Sequence, residues 1–459
     1  MPARSRSLGQ RSAAVVAWLL ASATGATAGD LERLKLIDSQ IEPLQWSELD
    51  GWAADDHAAA FAAFRTSCAP IVRQRAGDDR AMLLALKGPC KRALAGGALK
   101  AAAARAFFEE NFRPARIAKL GETSGLLTGY YEPIVEGSRF PSPEFFTPLY
   151  RRPRDLLVGG QKPRNGAFPN RASVSRRNAN HDLEPYFDRA AIENGALDGQ
   201  GLEICWIRDP FDAMSIQIQG SVRVKLEDGT TLRLNYDAHN GHPYTAVGRL
   251  LIERNLVSRE EMSMERIRRW MHENPDQAKE LRAANRSFVF FRITGLSDRN
   301  EPAGAQGVPL TPGRSIAVDR VHVYGTPFFI EAELPIESAR PTAKFRRLMV
   351  AQDTGSAIIG PARADIYFGA GEDAGRSAGR IRHPGRFVML IPREIDPVVA
   401  GLRMPQPRPR PQSDAKVQTP FATATRTVLP TPNGEAIPTP KPRPRVTRGP
   451  RPRSKRWSS

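Results

Sequence analysis

Two hydrophobic rhythms divide the chain. Between about Leu31 and Phe112 the apolar residues recur at helical spacing, as in AAAFAAFRTSCAPIV and LAGGALKAAAARAFFEENF. This predicts a helical N-terminal region whose work is packing. From Gly125 the spacing shortens. LLTGYYEPIVEG alternates and is β-branched and aromatic, which predicts strand. Short strands bounded by turn residues follow in TPLYRRP, LEICWIRDP and AMSIQIQGSVRVKLEDGTTLRLNYD. Within the last of these, Val222, Val224 and Leu226 alternate with polar residues, Asp228-Gly229 makes a turn, and Leu232 and Leu234 return. That is a hairpin. Residues 171–194 are polar and carry no assignable period.

A helical block comes next, in TAVGRLLIERNLV, SREEMSMERIRRWMHENP and PDQAKELRAAN. Ser258 with Glu261 fits a capping box, and Pro275 suits the first turn of a helix. From Phe288 strands return in SFVFFRI, SIAVDR, TPFFIEAEL, FRRLMVAQD, ADIYFG and GRFVMLIP, ending near Pro392. Short strands separated by Gly and Pro turns predict a closed β-barrel.

Charge and composition alter the picture at the two ends. The 459 residues carry a formal net charge of +18. Much of the excess lies between Arg403 and Ser459, where 13 Lys and Arg face only Asp414 and Glu435. That Pro-rich, Arg-rich stretch has almost no aliphatic residues, so it predicts a disordered basic tail able to contact an anionic surface. The N-terminus has a basic start with Arg4, Arg6 and Arg11, a short apolar run SAAVVAWLLASA, and ATA before Gly29. This predicts a secretory signal cleaved after Ala28. The apolar run is too short to span a bilayer, no Cys beside it suits a lipid anchor, and no transmembrane helix is expected in the mature chain. Export argues against a nucleic-acid partner for the tail. It also places Cys68, Cys90 and Cys205 in an oxidising compartment. Cys68 and Cys90 share the helical region and are a possible disulfide, leaving Cys205 free and buried.

The chemistry narrows by residue type. Among the seven His only His239 and His242 are closely spaced, in a polar loop, so a zinc site is not expected. There is no Gly-x-Ser-x-Gly elbow and no Gly-rich phosphate loop. No metal and no cofactor are predicted. Carboxylates remain. Asp319, Asp353 and Asp365 each begin or end a hydrophobic strand. A carboxyl group in a partly apolar site beside another carboxylate has a raised pKa and can act as a general acid. Glycoside cleavage requires such an acid at the bond's oxygen.

Several motifs resemble one family. They are TGYYEP at Thr128–Pro133, IQGSVRV at Ile218–Val224, NGHPYTAVGRLLIERNLV at Asn240–Val257 and EMSMERIRRWMHENP at Glu261–Pro275. SFVFFR at Ser287–Arg292, GAQGVPLTPGRSIAVDR at Gly304–Arg320 and AQDTGSAIIGPARADIYFG at Ala351–Gly369 complete the set. Together they resemble the membrane-bound lytic transglycosylase A (MltA) family, with its C-terminal three-aspartate domain, over roughly Gly125 to Pro392. Val222 departs from the pattern, which has glycine there.

The resemblance implies a mainly β protein with a helical N-terminal region. A double-psi β-barrel would carry an inserted smaller β-barrel-like domain, with the substrate groove between them. The implied layout is a signal peptide (1–28), a helical region (29–124), a catalytic barrel (125–139 with 286–400), an insert (140–285) and the tail (401–459). The resemblance implies a lyase that cleaves the β-1,4 bond from N-acetylmuramic acid to N-acetylglucosamine in peptidoglycan. The muramyl C6 hydroxyl attacks its own C1 and leaves a 1,6-anhydro end. By the family motif the acid/base falls on Asp365, with Asp353 as its helper. Thr128, Tyr130 and Tyr131 match a groove strand, Gln217, Gln219 and Gly220 the facing wall, and Asp319 a supporting position. Asp373 reads as an exposed turn residue. The implied location is the periplasm, with possible association to the outer membrane or wall. A non-catalytic glycan-binding protein and a water-using hydrolase on the same barrel are the alternatives.

Overall fold

The protein is described by a computed structural model at Leu36 and at residues 38–74, 77–78, 80–159, 174–295, 301–336 and 341–396. The signal-peptide expectation and the basic-tail expectation lie outside these residues. Among the described residues no helix is long and apolar enough to cross a membrane.

The strands in chain order are β1 (Ser39–Pro43), β2 (Phe112–Lys119), β3 (Gly125–Glu132), β4 (Ile134–Ser138), β5 (Thr147–Tyr150) and β6 (Leu157–Val158). They continue with β7 (Val174–Arg177), β8 (Leu183–Glu184), β9 (Glu203–Ile207), β10 (Ser221–Leu226), β11 (Thr231–His239) and β12 (Val289–Gly295). The last are β13 (Ser315–Val318), β14 (Pro327–Leu334), β15 (Ala343–Asp353), β16 (Arg363–Ala370) and β17 (Arg382–Pro392). Six of them close a ring in the order β17-β14-β15-β13-β16-β3, with β3 pairing back onto β17. Two pairings in the ring are parallel, β13 with β15 and β16 with β3. Closure removes free edges. β2 and β1 extend from β17 on the outside.

The helical reading of the N-terminal region holds for His57–Arg73, Ala81–Ala95 and Ala101–Asn111, whereas Ser39–Pro43 is strand. These helices share the barrel's core. Trp52, Phe61, Phe64 and Phe108 pack in one buried cluster with Phe328, Phe329, Leu348 and Val388. A disulfide joins Cys68 to Cys90, with Cα atoms 4.8 Å apart, and Cys205 is free and buried.

A second sheet has the order β12-β11-β10-β4-β9-β5. It takes in β4 and β12, which the boundaries at 140 and 285 had left with the barrel. The chain leaves the barrel at Pro133, which has no N–H to continue β3. β4 then pairs with β10, and β12 with β11. The crossing is pinned by Glu132, whose side chain is fully buried and accepts from Arg223 Nε at 2.5 Å and Arg233 Nε at 3.0 Å. Burial pushes the Glu132 carboxyl above its ordinary pKa, against the pull of both arginines.

The predicted hairpin is β10 and β11, with Val224 opposite Leu232. Val222 lies inside β10, buried opposite Leu234, and forms no turn. The stretch before it is corrected: Pro210–Gln219 is helix, not strand. The sequence held the reason. Asp209 caps it by accepting from Phe211 N at 2.8 Å, Pro210 fills the first turn, and Gly220 ends it with φ 83°. The capping box also moves. Ser258 and Glu261 do bond to each other, but the helix begins at Met264, capped by Ser263.

Candidate active site

β16 sits between β13 and β3, so Asp365 lies beside Ala317 on one side and Thr128 on the other. Asp365 is half-buried. It accepts hydrogen bonds from the Thr128 hydroxyl and from Arg363 Nη1, while Arg363 Nη2 donates to Thr128 Oγ1 at 2.9 Å. One guanidinium therefore spans both side chains.

Asp353 ends β15. Its Oδ1 accepts from the backbone N–H of Ala305 and of Thr354, each at 2.9 Å, and its Oδ2 from the Tyr130 hydroxyl at 3.0 Å. Burial raises its pKa above the ordinary 3.8. The three hydrogen bonds oppose that shift and the charge of Asp365 adds to it. The neighbouring Gln352 braces this strand end. It is fully buried and donates to Ala63 O at 3.0 Å and Ser67 Oγ at 2.8 Å in the helix His57–Arg73. Gly304 must stay glycine here, because a Cβ would come within 2.5 Å of Gln352 O.

Both aspartates line one cleft, open to solvent. The barrel supplies Tyr130, Ala317 and residues 353–358, and the second lobe supplies Arg189, Gln217, Gln219, Tyr244 and Asn285. Tyr130 has its ring packed on Tyr367, 5.2 Å between centroids, so its hydroxyl rather than its face serves the cleft. Burial raises its pKa well above 10. Gln217 and Gln219 both face the cleft from the helix that ends at Gly220.

Thr128 bonds to Asp365 but does not itself line the cleft, and three further expected residues stand elsewhere. Tyr131 points to a separate hollow with Arg208, Asp212 and Arg268, although its backbone N–H donates to Gln219 Oε1 at 3.0 Å. Gly220 shapes the helix end and does not line the cleft. Asp319 binds backbone, accepting from Gly360 N at 2.6 Å and Val321 N at 3.1 Å, and so ties two loops of the barrel. Asp373 lies in the first turn of a helix and pairs with Arg376, outside the cleft.

Arg189 and Asn285 are the residues sequence reasoning missed. Arg189 fell in the polar stretch without period. It is 2% exposed and sits at the start of a helix capped by Asp188. The capping pattern of Asp188 was the available signal for the helix, but nothing local marks its cleft role. Among the described residues no group of three or more His, Cys, Asp or Glu is placed to hold a metal. His242 Nε2 is 2.7 Å from Tyr186 O, and His239 Nδ1 accepts from Gly241 N.

Fold and site define a barrel protein with paired carboxylates on one wall of a cleft and a polar second lobe opposite. Two family models match, the MltA specific insert domain over residues 126–292 and the 3D domain over 314–391. The membrane-bound lytic murein transglycosylase A of Vibrio cholerae is 35% identical over 267 residues, covering 57% of this chain and 64% of that protein. The match thus spans less than two thirds of that relative. A crystal structure of a membrane-bound lytic murein transglycosylase from Agrobacterium tumefaciens superposes with TM-score 0.71 at 35% identity, covering 79% of this chain and 99% of that one. Escherichia coli MltA with bound chitohexaose superposes with TM-score 0.54 at 27% identity, covering 77% and 91%. The chain belongs to the membrane-bound lytic murein transglycosylase A family, with a 3D domain.

Proposed function

We propose that this protein is a peptidoglycan lytic transglycosylase. It cleaves the β-1,4 bond from N-acetylmuramic acid to N-acetylglucosamine and leaves a 1,6-anhydro-muramyl end. The observation that carries the reading is the convergence of Asp353 and Asp365 in one cleft, facing a lobe rich in amides. The names of the relatives, and the chitohexaose held by the E. coli protein, support a glycan strand as the ligand. The closed six-stranded ring with two parallel pairings supports a barrel of the double-psi type.

Asp365 protonates the glycosidic oxygen as the C1–O bond breaks. Its carboxylate then takes the proton from the muramyl C6 hydroxyl as that oxygen closes on C1. The attacking group is already part of the substrate, which lowers the entropic cost. Thr128 positions Asp365. Asp353, fixed by three donors, faces the positive charge that develops at the anomeric carbon. In the same reading, the chain is exported by cleavage after Ala28 and works in the periplasm. The test is release of soluble muropeptides from purified sacculi. Wild type should release them and Asp365→Asn should not; release by Asp365→Asn at the wild-type rate would remove Asp365 from its role.

A further inference from the structure

Three carboxamides of the second lobe line the cleft: Gln217, Gln219 and Asn285. Each has its oxygen held by a group that can only donate. Arg189 Nη2 donates to Gln217 Oε1 at 2.6 Å, Tyr131 N to Gln219 Oε1 at 3.0 Å, and Thr245 N to Asn285 Oδ1 at 3.0 Å. A backbone N–H or a guanidinium has no acceptor capacity, so the amide atom facing it must be oxygen. The NH2 end of each amide is therefore the free end. None of the three NH2 nitrogens is a buried atom without a partner. Arg189 is itself fixed, donating also to Asn285 O at 2.8 Å and Ser287 O at 2.6 Å, so a flipped Gln217 would set its NH2 group against a guanidinium N–H that cannot move away.

We infer that these three amides form a donor surface that reads the acyl carbonyl oxygens of the glycan and so selects N-acylated over N-deacetylated strands. An acetamido group offers a carbonyl oxygen to these NH2 groups. A protonated amine offers only donors, and two facing donors leave both unsatisfied. The opposite wall carries Asp353 and Asp365, which would favour a cationic amine. Any rejection of the amine must therefore come from the amide wall. The lactyl group of a muramyl residue carries the same kind of oxygen. This inference rests on the reading of the cleft as a glycan site.

The test is binding of three oligosaccharides to the full chain by calorimetry: chitohexaose, the glucosamine hexamer, and a muramyl-containing fragment of equal length. Chitohexaose should bind roughly tenfold or more tightly than the glucosamine hexamer. A preference seen only with the muramyl fragment would assign the wall to the lactyl oxygen instead. Equal binding of all three would overturn the inference. Gln217→Glu keeps a partner for Arg189 and turns an oxygen toward the cleft. It should erase the preference while the thermal midpoint stays near wild type, and Asn285→Asp should do the same. If either variant folds and keeps the full preference, the amide wall is not the reader. The lytic reading is judged separately on sacculi. Cleavage without acyl preference would sink only this inference, and acyl preference without cleavage would sink only the function.

Discussion

The barrel wall of the cleft presents carboxylates, and the wall opposite presents amide NH2 groups. The carboxylates come from strand ends that share the barrel's core and are braced from behind by the N-terminal helices. The amides come from helix ends whose oxygens are already spent on structural donors. One wall is suited to moving a proton and the other to holding a ligand still. Substitutions on the two walls should therefore separate turnover from binding.

The largest effect belongs to Asp365→Asn. Loss of a general acid and base should lower the rate of muropeptide release by about a thousandfold while chitohexaose affinity changes little. A comparable loss of affinity would blur the division between the walls. Asp353→Asn should be milder in turnover, roughly a hundredfold. Its effect on stability should have the opposite sign. The folded-state pKa of Asp353 is raised, so its protonated form is favoured in the fold. Its contribution to stability is fully present below the ordinary 3.8 and is lost as pH rises through the higher folded value. At pH 7 the variant should melt about 2 °C higher than wild type and at pH 3 no higher, by calorimetry. The Tyr130 hydroxyl can turn round to accept from the new amide, so the site stays satisfied.

The brace behind the barrel wall gives the next contrast. Cys68→Ser with Cys90→Ser opens a loop of sequence separation 22 beside Ser67 and should cost roughly 3 kcal/mol in denaturant unfolding. Because Ser67 holds Gln352, turnover should fall with it while the acyl preference stays. The smallest effect is expected far from both walls. Asp228, in the hairpin turn, has its pKa lowered to about 2 by bonds from Thr230 and Arg139. The stability it adds is present above its ordinary 3.8 and is lost as pH falls toward 2. Asp228→Asn should therefore flatten the melting profile over that window and leave the cleft untouched.

How much of this was legible in the chain differs between the walls. Period-two alternation exposed β10, β11 and most of the ring, and the acidic strand ends pointed to Asp353 and Asp365. The other wall was harder. Ile216 and Ile218 alternate with Gln217 and Gln219, which reads as strand, yet Asp209, Pro210 and Gly220 cap the segment as helix. Local capping outweighed a short alternation. Arg189 and Asn285 lie 96 positions apart and meet only in the fold. Likewise the closure of β3 on β17, and the parallel pairing of β16 with β3, depend on contacts between distant segments that no local pattern carries.

The central claim concerns who attacks the sugar. Digestion of sacculi in water enriched in oxygen-18, with mass spectrometry of the released muropeptides, tests it directly. The account predicts anhydro-muramyl ends with no heavy oxygen incorporated. Reducing muramyl ends carrying oxygen-18 would mean that water is the attacker and would contradict it.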